Sequence, residues 1–442
     1  MYYFFSVSFL QTELSEDSPY PKKVSWLSSS FGAFYAMPGD FRLAQSPAYQ
    51  QGRIYGQDVS SGVAVALLMK EEDEEESDNR TSDINSLEHP ALPKKPLRIL
   101  DLCCAPGLKL CALADWLVEH QQSTTTSSTT SHPSVVVGVD LHRERLDVAK
   151  NVIYKYHLDP DTRGPNKMMS NKKPASSSDT SCKEADVKTP IEQSSSTASI
   201  DLSQKIRIRL FQGDGTTIFS SNNSTERGSE LIFDSQAAWE EQLSANSNGT
   251  ERKRRNNKSS RARERKRLKL LQEEDLRQRQ HYQNSEKNND NHLFDRVLVD
   301  AECSTDGSIK HVQKVLEQHA NSQQKESDSN NILSLLNDKA KLNALHSLQQ
   351  RLAFNGFRLL RPGGSMVYST CSLEEGQNED IVRSLLKVHT NAVLVPVSVP
   401  VDSPLVVEGS LKGTIRFLPN TSHKEELLGG GFFIAKIRKT PE

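Results

Sequence analysis

Five short apolar runs, each closing on or just before a turn rich in small and acidic residues, constrain this chain more than any other feature. They are 97–102 (LRILDL), 135–140 (VVVGVD), 206–211 (IRIRLF), 294–300 (FDRVLVD) and 365–369 (SMVYS). Between them lie stretches with helical spacing: 108–119 (LKLCALADWLVE), 143–156 with Leu146, Ala149, Val152 and Ile153 on one face, and 342–360, which ends at Arg361-Pro362-Gly363-Gly364. A strand that is apolar at consecutive positions is buried on both faces, and intervening helices supply the cover. The expected class is therefore α/β, a doubly wound and mostly parallel sheet. Ligands of such sheets bind beyond the carboxyl ends of the strands, so the residues just past each strand are where chemistry is to be sought.

Not all of the length is core. A chain of 442 residues could hold two or three domains, yet only 35% of it is hydrophobic. The polar surplus is concentrated in an acidic run at 71–78 and in stretches expected to be disordered inserts at 121–133, 159–203, 220–291 and 319–330. The division expected is an amino-terminal, substrate-contacting region 1–96 and a catalytic domain 97–442. Net charge is only −2, from 55 basic and 57 acidic residues, so no global field advertises a nucleic-acid partner. The one strongly basic stretch, 252–269 (RKRRNNKSSRARERKRLK), reads equally as a nuclear localisation signal, a sequence-independent RNA contact or a solvated charged helix. Neither a membrane span nor a secretory signal is expected, and the reading is of a soluble intracellular protein, nucleus or nucleolus favoured, acting as a monomer. Six cysteines without a CxxC pair argue for individual thiols, not a metal site or a disulfide framework.

The strand tips carry the candidates. After the first comes Asp101-Leu102-Cys103-Cys104-Ala105-Pro106-Gly107-Leu108-Lys109, a small-residue turn feeding a helix, suited to close backbone approach by a ligand. The second ends in Asp140, where a nucleotide-binding fold places an acid on the ribose, although a strand-end acid is also a common helix cap. The third gives Gly213-Asp214-Gly215, the fourth Asp300-Ala301-Glu302-Cys303-Ser304, the fifth Thr370-Cys371-Ser372-Leu373. A single buried cysteine is usually packing. Two, each just past a strand end with acids on the tips between, are hard to explain that way.

Taken together, these segments resemble the Nop/Sun family of S-adenosylmethionine-dependent RNA cytosine-5 methyltransferases. The family motifs D-x-C-A-A-P-G-G-K, an acid after strands two and three, D-x-P-C-S and S-T-C-S-L all occur in order. They are joined by Gln377-Asn378-Glu379, by Arg416-Phe417-Leu418-Pro419 and by the segment 54–61 (IYGQDVSS). The resemblance implies a seven-stranded Rossmann-like methyltransferase sheet and a structured ribosomal or transfer RNA as partner. It implies S-adenosylmethionine held by Cys103, Cys104, Ala105, Pro106, Gly107, Leu108 and Lys109, with Asp140 on the ribose, Asp214 near the adenine and Asp300 between cofactor and cytosine. It makes Cys371 the nucleophile that adds to carbon 6 of the base, and Cys303 the residue that assists release of the product. Four departures stand out: Leu108 and Leu110 where the family has Gly and Ser or Thr, Cys104 for Ala, and Glu302 for Pro. Leu108 and Glu302 motivate the alternative of a catalytically silent RNA-binding or ribosome-assembly factor on the same fold.

Overall fold

The computed structural model describes residues 2–4, 22–24, 33–37, 41–70, 82–83, 96–122, 133–158, 206–219, 229–247, 258–283, 293–308, 311–313, 317, 338–399, 405–419 and 430–441. The acidic run 71–78 and the inserts 159–203 and 319–330 lie outside these residues, as does 121–133 apart from its two ends.

Ten strands form the central sheet: β1 (Arg98–Asp101), β2 (Ser134–Asp140), β3 (Ile206–Gln212), β4 (Glu230–Asp234), β5 (Phe294–Asp300), β6 (Leu360–Thr370), β7 (Ala392–Val395), β8 (Val406–Glu408), β9 (Ile415–Phe417) and β10 (Phe432–Lys439). Their order is β8-β9-β10-β6-β5-β1-β2-β3-β4, with β7 also paired to β10. The five strands read from sequence, β3-β2-β1-β5-β6, are all parallel, and every addition at either side is antiparallel. The expected seven-stranded sheet is present as β3-β2-β1-β5-β6-β10-β7. Strands β4, β8 and β9 extend it to ten.

Period-two alternation splits the sheet's apolar side chains between two cores. Ile99, Val136, Ile208, Leu298 and Val367 face one; Leu100, Val137, Phe211, Val299 and Met366 face the other. The first is covered by α1 (Val59–Met69), α2 (Leu108–Gln122) and α3 (Arg143–Ile153); α5 (Lys258–Gln283), α6 (Lys339–Leu359) and α7 (Glu379–Val388) contribute to the second. The sheet is thus doubly wound, as expected.

Two features depart from the sequence reading. Residues 220–291 were expected as a disordered insert, yet β4 pairs with β3, and it leads into α4 (Ser235–Ser247), with α5 packed on β4. Gln272 donates to the Ser229 carbonyl and accepts from the Leu231 amide, and Leu268 is buried. The reason is local: Leu231, Ile232 and Phe233 are a short apolar run hidden in a long polar average, and they complete a sheet edge. Second, α1, in the region assigned to substrate contact, lies in the core. Ten of its eleven residues are buried, as expected of a helix apolar on all sides. Among the described residues no helix is long and apolar enough to cross a membrane.

Candidate active site

Parallel pairing of β5 with β6 sets Asp300 opposite Ser369, so the residues that follow both strands emerge side by side. The Sγ atoms of Cys303 and Cys371, 68 positions apart in sequence, lie 2.9 Å from each other. Asp300 accepts from Lys109 Nζ at 2.7 Å and from Ser369 Oγ at 2.8 Å, and Lys109 also stands 5.6 Å from the centre of the Phe432 ring. The hydrogen bond between Cys371 and Cys303, then burial, push the Cys371 thiol well up, with Asp300 adding to the effect and Lys109 opposing it. Burial works against the Lys109 ammonium, but Asp300 more than restores it, leaving its pKa raised.

The two cysteine turns are held by Gln377, Asn378 and Glu379, all fully buried. Gln377 Oε1 accepts from the Ser304 amide (3.0 Å) and its Nε2 donates to Ser304 Oγ (2.8 Å), while its carbonyl accepts from Tyr368 OH. Asn378 takes the Thr370 hydroxyl at 2.6 Å and donates to the Ser372 carbonyl at 2.9 Å, bracketing Cys371. Glu379 pairs with Arg416, whose other arm donates to the Leu373 carbonyl at 2.7 Å. Asp306 accepts from the Leu373 amide at 2.9 Å. Gly307 donates to the Cys371 carbonyl, and a Cβ on it would meet that oxygen at 2.8 Å, so only glycine fits. Thr305, in the same turn, adopts φ +56°, a left-handed conformation costly for a β-branched residue. The sequence shows these residues only as a trailing motif; their function as a frame is visible in space alone.

On the other side of Asp300 a cavity of about 470 Å³ opens, within the roughly 300–1,000 Å³ of small-molecule sites. Asp101, Cys103, Cys104, Ala105, Pro106, Leu108, Lys109 and Asp300 line it. Gly107 holds the turn at φ +101°, and a Cβ there would come within 3.1 Å of Ala149 on α3. Gly138 likewise admits Cys104, whose Sγ would lie 2.8 Å from an added Cβ. Burial, then the neighbouring Asp300 carboxylate, push Asp101 up to about 7, with Lys109 opposing; its described hydrogen bond is from the Cys103 amide at 3.3 Å. Burial, then Asp101, also raise the Cys103 thiol.

Asp140 and Asp214 are on the same edge but outside that lining. Asp140 is buried, accepts from the His142 amide at 3.0 Å and faces Arg145 at 3.5 Å, contacts that tie it to the turn ahead of α3, whose N-cap is His142. Asp214 is exposed and bonds the amide and hydroxyl of Thr216. Of the departures, Leu110 is core, Leu108 forms cavity wall, and Glu302 points its side chain to solvent while its carbonyl accepts from Gln349. Residues the sequence reading did not assign also line the cavity: Leu43 from the short helical turn Leu43–Gln45, Gly56, Gln57 and Asp58 from the turn before α1, and Ser61 from α1 itself. The 54–61 resemblance was the available signal. Among the described residues no cluster of three or more His, Cys, Asp or Glu could hold a metal.

The family model described as 16S rRNA methyltransferase RsmB/F matches residues 236–438. Ribosomal RNA small subunit methyltransferase F of Erwinia tasmaniensis is 30% identical over 33% of this chain and 26% of its own. The tRNA (cytosine(49)-C(5))-methyltransferase of Pyrococcus abyssi is 33% identical over 33% of this chain and 42% of its own. A methyltransferase homologue from Pyrococcus horikoshii superposes over 99% of this chain and 85% of its own, at 17% identity and a TM-score of 0.48. The chain spans less than half the length of these two curated relatives. The family model thus matches somewhat less than half of this chain and the two curated relatives a third of it, in agreement with the resemblance that the ordered motifs carry.

Proposed function

We propose that this protein is an RNA methyltransferase that places a methyl group on carbon 5 of a cytosine, with Cys371 as covalent nucleophile. The observation that carries the reading is the pair of cysteine sulfurs 2.9 Å apart on adjacent strand tips, beside an Asp300–Lys109 ion pair. Transfer to a ring nitrogen, an oxygen or a protein side chain needs no thiol adduct, whereas carbon 5 of cytosine is a poor nucleophile until a thiolate adds to carbon 6. The relatives' activities on ribosomal and transfer RNA support a structured RNA of one of those kinds as substrate.

S-adenosylmethionine supplies an electrophilic methyl on sulfur. The glycine-permitted turn 103–109 and the cavity beside it fit such a ligand. Cys371 would give up its thiol proton as N3 takes one up, and its Sγ would add to carbon 6; the electron pair released at carbon 5 would form the new bond to the methyl as the methyl's bond to the sulfonium breaks and S-adenosylhomocysteine leaves. Asp300, oriented by Lys109 and Ser369, supports protonation at N3 as charge develops. Loss of the carbon 5 proton then re-forms the ring double bond and breaks the Sγ–C6 bond, with Cys303 assisting. At rest Cys371 is held as a thiol, first by its hydrogen bond with Cys303 and then by burial; a base that enters beside it and displaces Cys303 removes the largest of these causes. The target cytosine must leave its stack to reach this depth. Of the two residues behind the silent-factor reading, Glu302 faces solvent and Leu108 lines the cavity, and the assay below decides between the two readings.

The test is a denaturing gel of Cys303→Ala with total RNA and S-adenosylmethionine, beside Cys371→Ala. A retarded RNA–protein band with the first alone is expected, and sequencing the trapped RNA names the substrate. No band with either, despite cofactor binding, sinks the proposal. Action in the nucleus or nucleolus belongs to the same reading and is checked by imaging the tagged chain with and without 252–269.

A further inference from the structure

Gln57 closes the strand Ile54–Gly56 and immediately precedes the Asp58 cap of α1. It is 7% exposed, it lines the cavity, and neither its Nε2 nor its Oε1 has a hydrogen-bond partner among the described residues. An apolar side chain of the same length would fill that volume without the penalty of an unpaired buried amide. The amide is therefore ill suited to the empty protein and suited to something that enters the cavity.

What enters can be read from the other polar groups of the wall. Asp101, Asp58 and Asp300 are carboxylates, able to receive a cation; Lys109 is already committed to Asp300. An anionic group reaching this wall needs a donor, and Gln57 Nε2 offers one beside an acceptor, Oε1, that can share in holding a neighbouring cation. Adjacent carboxylate and ammonium are what the α-amino-acid end of S-adenosylmethionine presents.

We propose that Gln57 is a positioning residue for that end of the methyl donor, donating through Nε2 to its carboxylate and thereby setting how far the sulfonium reaches toward Cys371. The inference rests on the proposed methyl transfer and adds a residue from outside the sheet to the cofactor site.

Isothermal titration of wild type and Gln57→Leu with S-adenosylhomocysteine and with 5′-methylthioadenosine, which lacks the amino-acid end, tests it. Gln57→Leu should bind S-adenosylhomocysteine about ten- to a hundredfold more weakly and 5′-methylthioadenosine unchanged. Its ligand-free melting temperature should equal or exceed that of wild type. Gln57→Glu, isosteric but anionic, should lose at least as much affinity for S-adenosylhomocysteine as the Leu variant. Unchanged affinity, equal loss for both ligands, or a lowered ligand-free melting temperature in Gln57→Leu overturns the proposal, the last because it makes the role structural. Wild type that binds neither ligand refutes the methyl-transfer reading itself, a result distinct from any Gln57 phenotype.

Discussion

Around Cys371, buried polar groups are spent on one another; on the far side of Asp300, along the same strand tips, they are left open. Gln377 and Asn378 bind backbone or side chain of the Cys303 and Cys371 turns, and Glu379 pairs with Arg416, which in turn binds the Leu373 carbonyl. Gln57 has no partner among the described residues, and Asp101 has one long hydrogen bond and a carboxyl pushed up to about 7. The first arrangement holds the Cys303 and Cys371 turns in place before any ligand arrives. The second leaves polar groups unpaired until a polar ligand pairs them.

The largest expected effect strikes the saturated half. Arg416→Ala strands Glu379, fully buried, and takes the donor from the Leu373 carbonyl; calorimetry or denaturant unfolding should show a loss of roughly 3–5 kcal/mol. A loss below about 1 kcal/mol would mean the frame is not under tension from its ion pair.

In the open half the sign reverses. Asp101 is raised above its ordinary 3.8, so its buried site favours the protonated form: that stability is full below about pH 4 and is lost as pH rises through about 7. At about 1.36 kcal/mol per unit, this shift sets an upper bound on the order of 4 kcal/mol. Asp101→Asn should therefore gain stability over wild type at pH 8 and little at pH 4, as thermal melts at the two pH values will show. Equal effects at both would remove the contrast between the halves.

Gly107→Ala forces a Cβ onto φ +101° and toward Ala149, which should cost about 1–3 kcal/mol and weaken S-adenosylhomocysteine binding while leaving the Cys303 and Cys371 turns intact. The smallest effect is kinetic. Cys303→Ala removes the first cause holding Cys371 up, so Cys371 should alkylate several-fold faster with iodoacetamide near pH 8, followed by mass spectrometry of its peptide. A slower rate would show that Cys303 does not suppress the thiolate.

The five parallel strands and the chemistry at their tips were legible because both follow from local pattern: apolar runs, helical spacing, and acids or thiols where a run stops. That is why Asp300, Cys303 and Cys371 could be placed at strand ends from the chain alone, while the roles given to them came from the family resemblance. The segments that misled were those whose meaning depends on distant partners. The run at 231–233 is too short to stand out until β3 gives it an edge to complete. Gln377, Asn378 and Glu379 look like ordinary helix-start residues until Ser304, Ser372 and Arg416 surround them.

By itself, then, the sequence determined which residue types stand at the strand ends and in what order, since one apolar run is enough to place a turn. Only the tertiary structure decided which of those residues are saturated and which are open. Hydrogen bonding and desolvation are set by groups tens to hundreds of positions away, such as Arg416 beside Glu379 or Gln57 on the wall shared with Asp300, and no local pattern records them.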